Sequence, residues 1–229
     1  MNRYLANLRC LLFALPLFAG NAYAFNLSLD VVFTDANYQV SATDTFADLL
    51  AAHNSANVIS TTNVNALDNV DTSVYAGNIS GNYGVLMSAS LHIEDAGNYE
   101  FRVGTDWGRG GGVALFDSAT NALISETIDS TNIWWANNWN HGDVIYSSYN
   151  FAANTEYTIM WIGFEDCCAG SSTIQFSYEG SPFQLANVAN LTPHVVPIPP
   201  AFLLMAPVAL GLLSRQRVVA AKVAPAAET

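Results

Sequence analysis

From Phe25 to about Gly180 the apolar residues come in short runs broken by Gly, Asn, Asp and Ser, and a helical period is almost nowhere sustained. The runs predict strands at Leu86–Glu94, Gly97–Gly104, Gly112–Asp117, Tyr157–Phe164 and Ser172–Glu179, with weaker ones at Leu27–Phe33, Ala122–Asp129 and Ile145–Phe151. Tyr99, Phe101 and Val103 alternate with Asn98, Glu100 and Arg102, and Ile174, Phe176 and Tyr178 alternate with Thr173, Gln175 and Ser177. Each of these strands therefore has one wet face. Tyr157–Phe164 is apolar on both faces, which places it centrally between layers. One helix is expected, Thr45–Ala52, where Asp44 can cap and Phe46, Leu49 and Leu50 share a face. Residues 53–82, rich in Asn, Ser and Thr, read as a surface excursion, and 181–195 as a linker. The sum is an all-β chain, a single antiparallel, jelly-roll-like β-sandwich over 25–180.

The two ends follow other patterns. Arg3 and Arg9, the apolar run Leu11 to Ala19 and Ala22-Tyr23-Ala24 have the order of a signal peptide over 1–24, so the mature chain is expected to start at Phe25. Near the other end Val196-Pro197-Ile198-Pro199-Pro200 precedes the apolar stretch Ala201–Leu213, and Arg215 and Arg217 follow. At about 1.5 Å per residue those thirteen residues cover roughly 20 Å, short of a hydrocarbon core of about 30 Å. A marginal apolar helix stopped by basic residues suits transient insertion in the inner membrane with its Arg side in the cytoplasm. Val-Pro-x-Pro, short hydrophobic helix and Arg cluster together resemble the PEP-CTERM sorting signal, here over 196–217 with a tail at 218–229. That resemblance implies recognition by an exosortase in a bacterium that makes exopolysaccharide, and delivery to the cell surface or outside. The other reading of the same residues is a plain C-terminal anchor.

Charge narrows the partners. The whole chain is 51% hydrophobic and 11% charged, with a formal charge of −12. Residues 25–194 hold eighteen acids against only Arg102 and Arg109, a formal −16. Such a surface repels phosphate backbones, which excludes nucleic acid, and it is ill suited to anionic membrane surfaces. Calcium, neutral sugars and basic partners remain compatible with it.

The stretch from Met87 to Asp106, containing Ala96-Gly-Asn-Tyr-Glu-Phe-Arg-Val-Gly104, then Val113–Asp117, Ala153–Phe164 and Ser172–Tyr178, resembles the hairpin and closing strands of protective-antigen-type domains. The resemblance implies a β-sandwich, and in sugar-binding members an Asp-Asp pair after the hairpin that holds calcium. Here Asp106 matches the first member and Trp107 stands in place of the second. Asp166 is the other residue taken as a candidate calcium ligand, and Glu165 and Asp143 are further turn carboxylates expected at the same end of the sandwich. The alternative is a solvated acidic rim.

Three features carry candidate chemistry. Trp134, Trp135 and Trp139 share the segment Asn132–Asp143 with His141 and Asp143; indoles stack on sugar rings while imidazole and carboxylate bond hydroxyls, so these five are the candidate polysaccharide-binding residues. Any one of the indoles is as readily a core or loop plug. Cys167 and Cys168 are adjacent and the only cysteines after signal cleavage; in an oxidising compartment a vicinal disulfide is expected, the alternatives being a reduced pair or bonds to another chain. Cys167-Cys168-Ala169-Gly170 also resembles the Cys-Cys-x-Gly type of PEP-CTERM protein. His53, His92, His141 and His194 lie in no nucleophile motif, and Arg109, on what reads as a flexible Gly-rich loop, does not make a phosphate loop. The expectation is a binding protein and not an enzyme, the second reading being a passive structural or adhesive biofilm protein with its indoles buried.

Overall fold

The computed structural model describes residues 27–77, 79, 81–167 and 170–194. In chain order its elements are β1 (Ser28–Thr34), α1 (Phe46–Ser55), β2 (Val58–Asn63), α2 (Thr72–Tyr75), β3 (Tyr83–Ile93), β4 (Gly97–Gly104), β5 (Asp106–Trp107), β6 (Gly111–Asp117), β7 (Ala122–Asp129), β8 (Ile133–Trp134), β9 (Ile145–Phe151), β10 (Thr155–Glu165), β11 (Thr173–Tyr178), β12 (Gln184–Leu185), α3 (Val188–Leu191) and a closing 3-10 turn, Thr192–His194. Every expected strand is present, within three residues of its expected ends. The segments expected to be a signal peptide, 1–24, and a sorting signal, 196–217, lie outside the described residues. Among those described, no helix is long and apolar enough to cross a membrane.

All pairings are antiparallel. One sheet has the order β2-β1-β3-β10-β6-β7, a second β12-β11-β4-β9, and β5 pairs with β8 alone. The two large sheets make the sandwich, because each turns one alternating set of apolar residues toward the other. Val31 and Phe33, Met87 and Leu91, Ile159 and Trp161 from the first sheet meet Tyr99 and Phe101, Tyr149 and Phe151, Ile174 and Phe176 from the second. The rings of Phe101 and Trp161 span the gap with centroids 5.9 Å apart.

The two-sided character of β10 has its counterpart in a third layer. Tyr157, Ile159 and Trp161 face the sandwich core, while Ile162 and Phe164 on the reverse join Ala114 and are covered by Phe46 and Leu49 of α1. The helix is capped by Thr45, not Asp44: Thr45 and Asp48 form a capping box, and Asp44 instead accepts from Ser41 N and Tyr38 Oη. Glu126 on β7 accepts from Phe46 N at 2.7 Å, which fixes the helix N-terminus to the sheet edge.

Residues 53–82 are not a surface excursion. The β-branched run Val58–Asn63 forms edge strand β2, and Val64, Leu67 and Val70 are buried, each third residue turned inward to close the sandwich. The single bridges Ala66↔Asn187 and Val70↔Ser172 hold this plug in place. The expected linker is likewise part of the domain: β12 extends the smaller sheet, and Ala186 and Leu191 enter the core. Both segments carry apolar anchors too sparse to show a period among their polar neighbours.

Candidate functional site

A glycine pair determines what sits behind the site. Gly111 and Gly163 face each other across β6 and β10. A Cβ on Gly163 would lie 2.0 Å from the Trp107 ring, and one on Gly111 2.3 Å from it. The two glycines are therefore the floor of a slot in which the Trp107 indole lies, 1% exposed. Its Nε1–H donates to Ser172 Oγ at 3.1 Å, and that hydroxyl also bonds Thr105 Oγ1 at 2.7 Å.

Alternation turns the neighbour of this buried indole outward. Asp106 lies opposite Trp134 in the β5–β8 pair, and Trp107 opposite Ile133. Directly opposed residues share a face, so the buried pair anchors the strands while Asp106 and Trp134 stand side by side on the outer one. Trp134 is 57% exposed. Its amide donates to Asp143 Oδ2 at 3.1 Å, and its ring meets the His141 ring edge-on with centroids 6.2 Å apart. His141 Nδ1 accepts from Asp143 N at 3.3 Å and lies 3.7 Å from Asp143 Oδ2, which ties the imidazole to the same residue that holds the Trp134 amide. An exposed indole and a carboxylate on a two-strand ribbon are thus joined by an imidazole and a second carboxylate from the loop that follows β8.

The other two candidate indoles play different parts. Trp135 is 7% exposed and lies flat on Gly104, where a Cβ would fall 2.1 Å from its ring. Trp139 packs on it at 4.6 Å, and the Arg102 guanidinium is held between the rings of Trp139 (4.5 Å) and Phe183 (4.1 Å) while donating to Gln175 Oε1. Tyr146 Oη donates to Trp139 O. This stack covers the outer face of the smaller sheet and holds the loop down, which restrains Trp134. The sequence placed Arg102 on a wet face and gave no sign of its aromatic partners Trp139 and Phe183, more than thirty residues away.

Glu165 is buried, and its carboxylate accepts from three amides, Gly108 N at 2.7 Å, Asp166 N at 2.8 Å and Cys167 N at 3.2 Å. These bonds fold the Cys167 turn back toward β5, where Gly170 packs on the Asp106 backbone so tightly that a Cβ would come within 2.4 Å of its carbonyl oxygen. Cys167 is exposed; its partner in the expected disulfide, Cys168, lies outside the described residues, as do Val196, Pro197, Pro199, Arg215 and Arg217.

The carboxylates among the described residues do not fit calcium. Glu165, Asp166 and Cys167 have donor atoms within 4.8 Å of one another, but Glu165 is engaged by amide donors, Asp166 pairs with Arg109 Nε at 3.4 Å, and a thiol is a poor ligand for a hard cation. At Asp106, the position of the expected second carboxylate holds the buried Trp107 indole. The Gly-rich segment expected to be a flexible loop around Arg109 is also otherwise employed, since Gly111 and Gly112 belong to β6.

Burial, and next the charge of Glu165, push the Asp106 carboxyl above its ordinary value of 3.8. The folded chain thus holds this proton more tightly than the unfolded one, and stability from this group, present at low pH, is lost as pH rises through the raised value. Asp106→Asn is expected to raise the melting temperature at neutral pH, with the gain vanishing in acid where both states are protonated. A lower melting temperature at neutral pH would contradict this reading of the site.

A separate open concavity of about 490 Å³ is lined by Asp35, Asn37, Tyr38, Ser55 and Asn57 among others. Its polar groups bond one another, Asn57 to Asp35 in particular, and it presents no comparable exposed indole.

The sequence matches no family model and no curated protein. Similar solved structures include the PA14 domain of the MpAFP antifreeze protein, at 14% identity over 74% of this chain and 93% of that one, with a TM-score of 0.49. A PA14 sugar-binding domain from an RTX adhesin is 12% identical over 69% and 94%, with a TM-score of 0.44. The epithelial adhesin 6 A domain from Candida glabrata, in complex with Galb1-3GlcNAc, is 10% identical over 72% and 89%, also with a TM-score of 0.44.

Proposed function

We propose that this antiparallel β-sandwich is an exported cell-surface or matrix protein, sorted by an exosortase, that binds extracellular polysaccharide at the surface built by Asp106, Trp134, His141 and Asp143. The observation that carries the reading is Trp134: a large indole, more than half exposed, held on a strand paired to the core. Leaving such a ring in water forgoes roughly 1.5–3 kcal/mol of burial, which a sugar ring stacked on it recovers. The His141 imidazole on one side of that ring and the Asp106 carboxylate across the strand pair from it supply the polar partners that hydroxyls need. A passive matrix protein with every indole buried accounts for Trp135 but not for Trp134.

Co-sedimentation of the full chain with the producing cells' own exopolysaccharide tests the binding. Saturable retention, displaced by soluble fragments of that polymer, is the expected result; retention that neither saturates nor competes counts against a specific site. The sorting reading rests on the order of Arg3, Arg9 and Ala22-Tyr23-Ala24 at one end and of Val196-Pro197, Pro199, Arg215 and Arg217 at the other. Intact mass of the protein from fractionated cells tests it: a chain from Phe25 to near Val196 outside the inner membrane is the expected result, and a chain reaching Thr229 within that membrane would replace sorting with anchoring.

A further inference from the structure

The charges around Trp134 say more about the ligand than the indole does. Asp106 shares its face, Asp143 accepts from its amide, and Glu165 lies close enough to act on the Asp106 carboxyl. Neither arginine of residues 25–194 offsets them: Arg109 is tied to Asp166 and Asn37, and Arg102 to Gln175 between two rings. Three amides satisfy Glu165, whereas Asp106 is given no hydrogen-bond donor among the described residues. Tyr83 on β3 is also close enough to Asp106 to feel its charge, and its hydroxyl is engaged with Gly170. An anionic polymer would meet repulsion here from a domain of formal charge −16, and a neutral one would leave Asp106 uncompensated.

Building on the polysaccharide-binding reading, we propose that the ligand is a polymer of partly de-N-acetylated hexosamine, with a protonated sugar amine seated between the Asp106 carboxylate and the Trp134 ring. An ammonium group satisfies both partners at once, as the counter-ion of the carboxylate and as a cation over an indole face. Calcium is not an equivalent solution, because it requires several oxygen ligands and Trp107 occupies the neighbouring position.

The test titrates the full chain with two probes, a glucosamine oligomer and the N-acetylglucosamine oligomer of equal length, at slightly acid pH and low salt. The glucosamine oligomer is expected to bind at least about tenfold more tightly, a preference that shrinks as salt screens it. Asp106→Asn, a near-isosteric change, is expected to bring the two affinities within about threefold of each other. Equal binding of the two oligomers, or tighter binding of the acetylated one, overturns the amine assignment and leaves polysaccharide binding standing. A preference that survives Asp106→Asn overturns the placement of the amine. If neither these oligomers nor the cells' own exopolysaccharide binds, the underlying functional reading fails, and the amine assignment with it.

Discussion

Gly163→Ala is expected to cost the domain about 3 kcal/mol, although in an ordinary strand the same change would be mildly stabilising. The added methyl would stand 2.0 Å from the Trp107 ring, far inside contact distance. The indole has little room to yield, since Gly111 floors the same slot from the facing strand and Ser172 fixes its Nε1–H. Such a loss is a large part of a typical folding free energy of about 5–15 kcal/mol. Chemical denaturation of the two proteins measures it. A second change distinguishes the slot from general strand damage: with Trp107→Leu already present, the cost of Gly163→Ala is expected to fall to well under half, because coupled neighbours are non-additive. Additive effects, or a Gly163→Ala protein within about 0.5 kcal/mol of the parent, would show that the indole is not held as described.

The second large effect concerns binding. Trp134→Ala is expected to weaken polysaccharide binding by about 30-fold, equivalent to roughly 2 kcal/mol, the loss typical of a central aromatic anchor. Its effect on stability is expected to stay within about 0.5 kcal/mol, since most of that side chain is already in water. Trp135→Ala is the contrasting control, because this indole fills the space over Gly104 beneath Trp139, and its removal is expected to destabilise the domain by about 3 kcal/mol. Calorimetry with the cells' polysaccharide, paired with thermal melts, separates the two behaviours. Loss of binding in Trp134→Ala only in step with loss of folding would remove the indole from the binding surface.

The framework of the sandwich was legible because its long strands repeat with period two. The alternation in Gly97–Gly104 and the double-sided apolar run in Tyr157–Phe164 translate directly into one wet-faced strand and one central strand with α1 behind it. The site was legible only as a composition, three indoles near His141 and Asp143. Its geometry depends on β5 and β8, two residues each, too short to carry any period, and on pairing Asp106 with Trp134 across the chain. Which indole is exposed followed from Gly104, Gly111 and Gly163, whose meaning lies in distant rings that occupy the missing Cβ positions. Along the sequence the glycines around Arg109 read as a flexible loop; in the fold Gly108, Gly110 and Gly111 are points of close packing. The plug at Val64, Leu67 and Val70 was hidden for a related reason, as single buried residues among Asn, Asp and Thr give no periodic signal.

The most direct test is to titrate the isotopically labelled protein with the cells' exopolysaccharide and follow its five indole N–H resonances. The Trp134 signal is expected to shift or broaden saturably, while those of Trp107 and Trp161, both in the core, stay in place. An unmoved Trp134 signal at saturating polysaccharide, or a response led by a core indole, would contradict this expectation.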